Sequence, residues 1–455
     1  MKKLDRTALF VISACLVALA GIILYGSRQP VKITCENSDC AQISPLGKIA
    51  FKFSRAVDQE KVEALLQTDP AIAGRWEWQD DRHASWSAAS PLAAGQTLKI
   101  SFQTGQLGKN GETLDEVYAW ELQVRQPAIL ALRTINSGGE EVYRIDLTGQ
   151  EDPVPFSQTG GKVFDFNVAA DGERVVLSVN NDKTGVDLWV INRDGSGQRK
   201  LLDCGGDRCT RAAWSPAGNE IAYTRESSGL DPQGSKGVPR TWILDVDSGE
   251  TAPLFDDDQK IGYGPLWSPD SKWLSVWNGV DGGIQIINRQ TGEISLLPTQ
   301  SGDTGCWSAD SSALFYTNLV IGESSFHNVI NKADIANGTI QTVMGGNLSG
   351  EGLSYDNPAC HPSRNLLAVS IQPNPKIPGK NLVVQNLDSG EITSVMSDLT
   401  KFPGNYSWNP GGEYLLFQMN VVSRDKEDFE IWIWNETSQE KHLLAKGFWL
   451  PTWLP

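Results

Sequence analysis

The sequence predicts an all-β chain: one N-terminal apolar helix, then a β-sandwich, then a β-propeller. Three observations predict it. A Trp-Ser-Pro-type motif returns every 40–53 residues through the later part of the 455-residue chain, and periods of this length with strand-like units mean a propeller. Ahead of it, residues 31–125 alternate short apolar runs with turns, the pattern of a sandwich. An uncharged run opens the chain. Gly 44, Pro 23 and Trp 16 fit many tight turns in an aromatic-rich β structure.

Composition excludes some functions. Hydrophobic residues at 40% and charged residues at 21% describe an ordered globular protein. With 39 basic and 55 acidic residues the net charge is −16, and such a surface repels phosphate backbones, so nucleic acid is not an expected partner.

The opening run, Thr7 to Gly26, holds 20 residues without a charge, enough to cross a bilayer of about 30 Å as a helix. Lys2, Lys3 and Arg6 precede it and Arg28 follows. The positive-inside bias then makes residues 1–30 a cytoplasmic tip and signal anchor. The expected location is a single-pass cell-membrane protein with its bulk extracytoplasmic. A cleaved signal has a shorter apolar core. Ile12-Ser13-Ala14-Cys15 looks like a lipobox, but the apolar run continues well past Cys15.

Six of the seven cysteines follow that run, an even number that suits an oxidising compartment. Cys35 and Cys40, and Cys204 and Cys209, are each five apart. Two local disulfides are the expectation, because a lone CxxxxC without nearby His is a weak zinc signal. Cys306 and Cys360 occupy similar positions in neighbouring repeats, and a bond between them is left open.

In residues 31–125, KIAFKFSRAV, GRWEWQD, TLKISFQTG and YAWELQV read as strands, and DQEKVEALLQTD as a short helical turn with Val62, Leu65 and Leu66 inward. Ser44-Pro45, Ile49 to Ser54, Val57-Asp58, Asp69-Pro70, Gly74, Trp78, Pro91-Leu92, Gly95, Thr97, Gly111, Leu114 and Trp120 resemble the bacterial Ig-like domain first described in S-layer proteins. That resemblance implies a spacer on an exported protein and brings no catalytic residues.

Residues 128–455 are repetitive. Trp214-Ser215-Pro216, Trp267-Ser268-Pro269-Asp270, Trp307-Ser308-Ala309-Asp310, Cys360-His361-Pro362 and Trp408-Asn409-Pro410-Gly411 are copies, Phe166 to Gly172 is a degenerate one, and Trp453 ends the series. The steps from Phe166 are 48, 53, 40, 53 and 48 residues. Each copy is followed by an apolar strand and then, downstream, by a hairpin such as LWVINRDGSGQ or TWILDVDSGE. Each unit therefore has four strands, the motif closing the first. The segment opens with AILALRT, EVYRIDL and PVPFS, three strands without a first one, and ends on a lone first strand. The ends are expected to pair into one composite blade. Six internal blades and one composite give seven, with six as the alternative. The repeats resemble those of TolB and of dipeptidyl-peptidase-like propellers. The resemblance implies six blades and protein contacts in a bacterial envelope.

Chemistry-bearing motifs are scarce. His83, His327, His361 and His442 sit in unrelated contexts, and no nucleophile elbow, phosphate loop or dinucleotide fingerprint is present. No catalytic residue, metal ligand or cofactor is assigned. Acid-rich turns such as Phe255 to Asp258 suit tight hairpins, and carboxylates alone do not fix a calcium cage. The connections after the second and fourth strands are long and variable: 225–240, 344–357, 372–380 and 419–429. They fall on one face, where binding usually resides. Just before the first strands, Arg211, Tyr263, Asp303, Asp356, Asn357, Asn405 and Trp449 are expected near a channel mouth. The resulting expectation is a non-catalytic, membrane-anchored module whose propeller recognises an envelope or extracellular protein, peptide or glycan. The alternative is a hydrolase or lyase with a metal-assisted site at the mouth and Asp303 or Asp356 as general base.

Overall fold

The computed structural model describes residues 10–17, 30–37, 40–228, 237–257, 259–321, 326–345, 353–374, 376–377, 379–422 and 427–455. The described residues are all-β apart from two helical segments, 10–17 and Gln59–Leu65. Its contacts divide it into two compact units, Met1–Arg125 and Gln126–Pro455.

The single-pass anchor is corrected. Residues 10–17 are helical, and eight residues rise only about 12 Å. Among the described residues no helix is long and apolar enough to cross a membrane. The remainder of the apolar run, 7–9 and 18–26, lies outside the described residues. The expectation rests on the length of an uncharged run and its basic flank, which report hydropathy and charge rather than backbone conformation.

In the first unit, strands Ile33–Cys35, Lys48–Phe53, His83–Ala88 and Gly74–Trp78 form one sheet. Gln42–Ile43, Tyr118–Val124, Thr97–Phe102 and Leu66–Asp69 form a second. Alternation places Ile49, Phe51 and Phe53 of one sheet and Leu98, Ile100 and Phe102 of the other in a common core. Phe51 meets Phe102 edge-on at 5.1 Å. A helix spans Gln59–Leu65, capped by the Asp58 side chain, with Val62 buried beneath it. Gly74 is required by contact: a Cβ there would lie 2.0 Å from the Trp86 indole.

The second unit is seven successive four-stranded antiparallel sheets. The first combines Ala128–Thr134, Glu140–Ile145 and Val154–Pro155 with Trp449–Leu454 from the far end of the unit. Ala128 pairs with Leu454 and Ile129 with Trp453. The first strands of the second to seventh sheets are Val163–Val168, Arg208–Trp214, Tyr263–Trp267, Cys306–Trp307, Ser354–Cys360 and Lys401–Trp408. A single parallel pairing, Val186 with Arg208, joins the second sheet to the third. The degenerate copy at Phe166 thus carries a full sheet.

Apolar clusters form between consecutive sheets. Val176, Leu188 and Val190 of the second sheet pack on Trp214, Ile221 and Tyr223 of the third. Leu416, Ile431 and Ile433 of the seventh pack on Ile129, Ala131 and Trp453 of the first. First strands lie beside first strands, including Trp449–Leu454 beside Val163–Val168, so they are the inner strands.

The repeat Trp residues have a specific partner. The indole N–H of Trp267 donates to Ala213 O (3.1 Å), Trp307 to Leu266 O (3.4 Å), Trp408 to Ala359 O (3.2 Å) and Trp453 to Ser407 O (3.0 Å). Each acceptor immediately precedes the matching motif residue of the preceding sheet.

Disulfides link Cys35 to Cys40, Cys204 to Cys209 and Cys306 to Cys360. The last joins the inner strands of the fifth and sixth sheets across 54 residues. Closing a loop of that length is worth about 4 kcal/mol in the chain-entropy picture. The Cys306→Ala/Cys360→Ala variant is expected to lose about 2–4 kcal/mol in denaturant unfolding, and the difference from wild type is expected to vanish when both are measured under reductant.

Candidate functional site: the bulged inner strands

Five of the seven inner strands share one irregularity. Between Thr210 and Ala213, between Tyr263 and Leu266, between Asp356 and Ala359 and between Gly404 and Ser407, three steps on the inner strand match two on its neighbour. Trp449–Leu454 has the same shift. These are one-residue bulges. In each, the residue three before the motif position has positive φ: Arg211 51°, Gly264 61°, Asn357 53°, Asn405 44° and Leu450 54°. Asn tolerates this region; Arg and Leu there are held by their surroundings.

Four of the five bulged N–H groups are satisfied from the preceding sheet. Gly264 N donates to Thr224 Oγ1 (3.1 Å), Asn357 N to Thr317 Oγ1 (3.1 Å) and Leu450 N to Gln418 Oε1 (2.8 Å). Thr224, Thr317 and Gln418 all stand ten residues after their sheet's motif position. Arg211 N instead donates to Asp165 Oδ2 (2.9 Å), from the inner strand of the second sheet.

The expected site residues therefore lie mostly within the inner strands rather than in the loops before them. The added residue of the bulge moves pairing one step and turns these side chains along the strand row. Arg211 and Tyr263 meet, Nε to Oη at 3.1 Å, with the guanidinium 5.7 Å from the ring centroid. Asp303 is in the loop before its strand and accepts from Gly305 N (3.1 Å) and Thr317 Oγ1 (3.2 Å). Burial raises its pKa, and the nearby Asp356 charge adds to this. Asp356 is buried, paired with Lys380 at 2.6 Å and hydrogen-bonded by Asn328 Nδ2. Asn405 donates to Gln418 Oε1 at 3.2 Å. Trp449 packs on Phe429, centroids 6.5 Å apart. Asp303, Asp356 and Asn357 form one group; Arg211–Tyr263 and Asn405–Trp449 lie along other inner strands.

Sequence reasoning missed Thr317, Lys380, Asn328 and Tyr406. The Tyr406 hydroxyl accepts from Ser370 N (2.9 Å) and lies against the carbonyls of Asp356 (3.0 Å) and Asn357. Burial drives its pKa upward, so it is a neutral structural donor. The aligned position ten residues after each motif was the available signal for Thr317.

Among the described residues no three His, Cys, Asp or Glu side chains are placed to hold a metal ion. The described acid-rich turns cap themselves: Asp245 accepts from Asp247 N and Ser248 N, and Asp257 from Gln259 N. Asp258, residues 229–236, 346–352, 375, 378 and 423–426 of the long loops lie outside the described residues.

His361 replaces the motif Ser and is buried, 4.8 Å edge-on to Trp408. Its Nδ1 accepts from Ser363 N and Arg364 N, and Nε2–H donates to Gly412 O, all at 3.1 Å. Burial, with the Arg364 charge beside it, lowers its pKa to about 4.

No protein-family model and no curated protein matches this sequence. Among solved structures it is similar to a puromycin-hydrolysing peptidase of Mycobacterium tuberculosis, at 15% identity over 79% of this chain and 53% of that one, with a TM-score of 0.50. TolB of Acinetobacter baumannii is similar at 16% identity, over 73% and 83% of the two chains, TM-score 0.41. An oligogalacturonate lyase of Vibrio parahaemolyticus is similar at 12%, over 70% and 86%, TM-score 0.48. These likenesses concern the fold alone: the neighbours are TolB-like β-propeller proteins, and this chain spans about half of the peptidase.

Two predictions test the inner-strand assignment. Raised pKa makes the ionised form of Asp303 the costly one in the fold. That cost is absent below the ordinary Asp range near pH 4 and present above the raised folded value. Asp303→Asn is therefore expected to stabilise the protein at pH 7, with the gain fading by about pH 4. Asp356→Asn leaves Lys380 unpaired and is expected to lose about 1–3 kcal/mol. Urea unfolding reads both. For His361 the folded pKa is below the unfolded value of 6.5, so stability is full above that value and falls as the unfolded chain alone takes up the proton. Wild type is expected to lose about 3 kcal/mol more than His361→Asn between pH 6.5 and 4.

Proposed function

We propose that the second unit is a closed seven-bladed propeller acting as a non-catalytic recognition module. Its partner is a protein, peptide or glycan held at the inner-strand bulges and the long-loop face. We propose the first unit as an Ig-like spacer. The observation that carries the reading is a division of labour at the bulges. Groups capable of chemistry are consumed between sheets: Asp356 by Lys380, Thr317 by Asp303 and Asn357, and Tyr406 by the sixth sheet. Arg211, Asn357 and Asn405 are exposed at the same register step of three inner strands. Repeated polar side chains on a rigid scaffold suit binding rather than turnover.

The test is the full chain against peptide and glycan arrays, beside an Arg211→Ala/Asn357→Ala/Asn405→Ala variant. At least a ~10-fold loss of binding is expected with the fold retained, unfolding shifting by no more than about 2 kcal/mol because Ala replaces Asn at two positive-φ positions. Equal binding by the variant to every ligand the wild type retains would sink the reading, as would turnover of a hydrolysable library abolished by Asp303→Asn.

A further inference from the structure

Between the first and second sheets, on the side of the long connections, lies a cavity of about 320 Å³. This is within the span of small-molecule sites, roughly 300–1,000 Å³. Val154–Pro155 pairs with Arg144 and Tyr143, and Phe156 N and Ser157 N both still donate to Val142 O (2.8 and 3.2 Å) before the chain crosses to the second sheet. The connection that follows contributes Gln158 and Thr159 to the lining. The half-buried ring of Trp189, on the third strand of the second sheet, lines the same space.

The walls are braced independently of any ligand. Buried Glu141 holds one rim, accepting from Thr159 N (2.6 Å), Thr159 Oγ1 (3.0 Å) and Gly161 N (2.9 Å) and bonding the Ser157 hydroxyl. Buried Asp187 holds the other, accepting from Asn181 Nδ2 (2.8 Å) and Cys204 N (2.9 Å) and pairing with Lys200 (2.7 Å). The Gln198 amide spans the two, accepting from Gln158 N (3.0 Å) and donating to Gln158 O (3.1 Å). Such a site is preformed, so a ligand would not have to order it.

The lining also states a chemistry. Three cations, Lys162, Lys183 and Lys200, face three anions, Asp182, Asp187 and Asp203. Lys162 pairs with Asp182 at 2.9 Å, Lys200 pairs with Asp187 and reaches Asp203 at 3.5 Å, and the Lys183 charge acts on Asp203. The balance offers nothing to a net anion or cation. What remains is an indole surface ringed by amides, ammonium groups and carboxylates. An apolar ring face beside many small polar partners matches a sugar, whose C–H face stacks while its hydroxyls both donate and accept. We propose that this cleft is a subsite for neutral saccharides, with Trp189 as the stacking platform. The site is separate from the inner-strand bulges and does not rest on the recognition role proposed for them.

The test titrates the full chain with neutral trisaccharides of glucose, mannose, galactose, xylose and N-acetylglucosamine, and with one uronate trisaccharide, by calorimetry and saturation-transfer NMR. At least one neutral sugar is expected to bind. Its affinity should fall about 10-fold or more in Trp189→Ala and stay within about 3-fold in Trp189→Phe. It should not change between about 0.05 and 0.5 M NaCl. Because removing a half-buried Trp can disturb the sheet, Gln158→Ala/Lys183→Ala, both exposed, is the second variant, with several-fold weakening expected. The Arg211→Ala/Asn357→Ala/Asn405→Ala variant should bind the sugar like wild type, which separates this site from the inner strands. No binding by any neutral sugar overturns the proposal. So does binding unmoved by the Trp189 and rim variants, or binding confined to the uronate and lost with salt.

Discussion

The hydrogen bond from each repeat indole to a carbonyl of the preceding sheet is the interaction on which the second unit depends. A buried Trp removes roughly 150–250 Å² from water, worth at most about 4–6 kcal/mol, but that term is non-directional. The N–H adds about 1 kcal/mol and fixes a register. Trp267, Trp307, Trp408 and Trp453 all donate to the residue just before the preceding motif position. Sheets so placed cannot slide by a residue without losing the bond. Trp214 shows the dependence by exception. The second sheet carries Val168, rather than the Phe166 from which the repeat was counted, where the motif Trp would be, and the Trp214 indole N–H has no partner. That interface is held by other means: Trp214 N donates to Asn167 Oδ1 at 3.1 Å, and Arg174 lies 4.6 Å over the indole.

Fixed register makes the bulges useful. Because the sheets are locked at the motif position, the residue three before it meets the residue ten after the previous motif at interface after interface. Thr224, Thr317 and Gln418 can therefore each satisfy a bulged N–H. The positive φ at Arg211 and Leu450 is a local cost that the inter-sheet bond offsets. One consequence is functional: the bulge breaks strict alternation, so polar side chains reach the inner row of an otherwise apolar strand.

The sequence made the sheets legible because its signals were periodic and local. The motif fixed the inner strands, and the hairpin turns fixed the outer pair. The unmatched strands at the two ends anticipated the pairing of Ile129 with Trp453. Partners of the site were less legible, since they depend on register between sheets. Lys380 reaches Asp356 across 24 residues and Tyr406 reaches it across 50; neither spacing is a motif. The cleft at Trp189 was illegible for a different reason. It is lined by second-sheet residues and by Gln158 and Thr159 of the connection before that sheet, and no motif marks that connection. The apolar opening run was over-read, because hydropathy reports composition and not backbone conformation.

The acidity of the chain has a structural account that bears on function. Among the described residues, the buried carboxylates of the second unit are Glu141, Asp165, Asp187, Asp356 and Glu430. All five lie towards the end of their sheets that carries the long connections. Each is met by backbone N–H groups or by cations: Glu430, for example, pairs with Lys401 at 2.8 Å and Lys446 at 3.2 Å. At the other end, Asp194, Asp245, Asp270 and Asp310 cap their own tight turns. Charge at one end is thus spent within single turns, and at the other it ties strands to loops. A buried carboxylate tolerates no loss of its partners, so the bases of these connections are held firmly. A base of that kind keeps its geometry when the sequence of the connection above it varies, and that is the property on which the proposed recognition role draws.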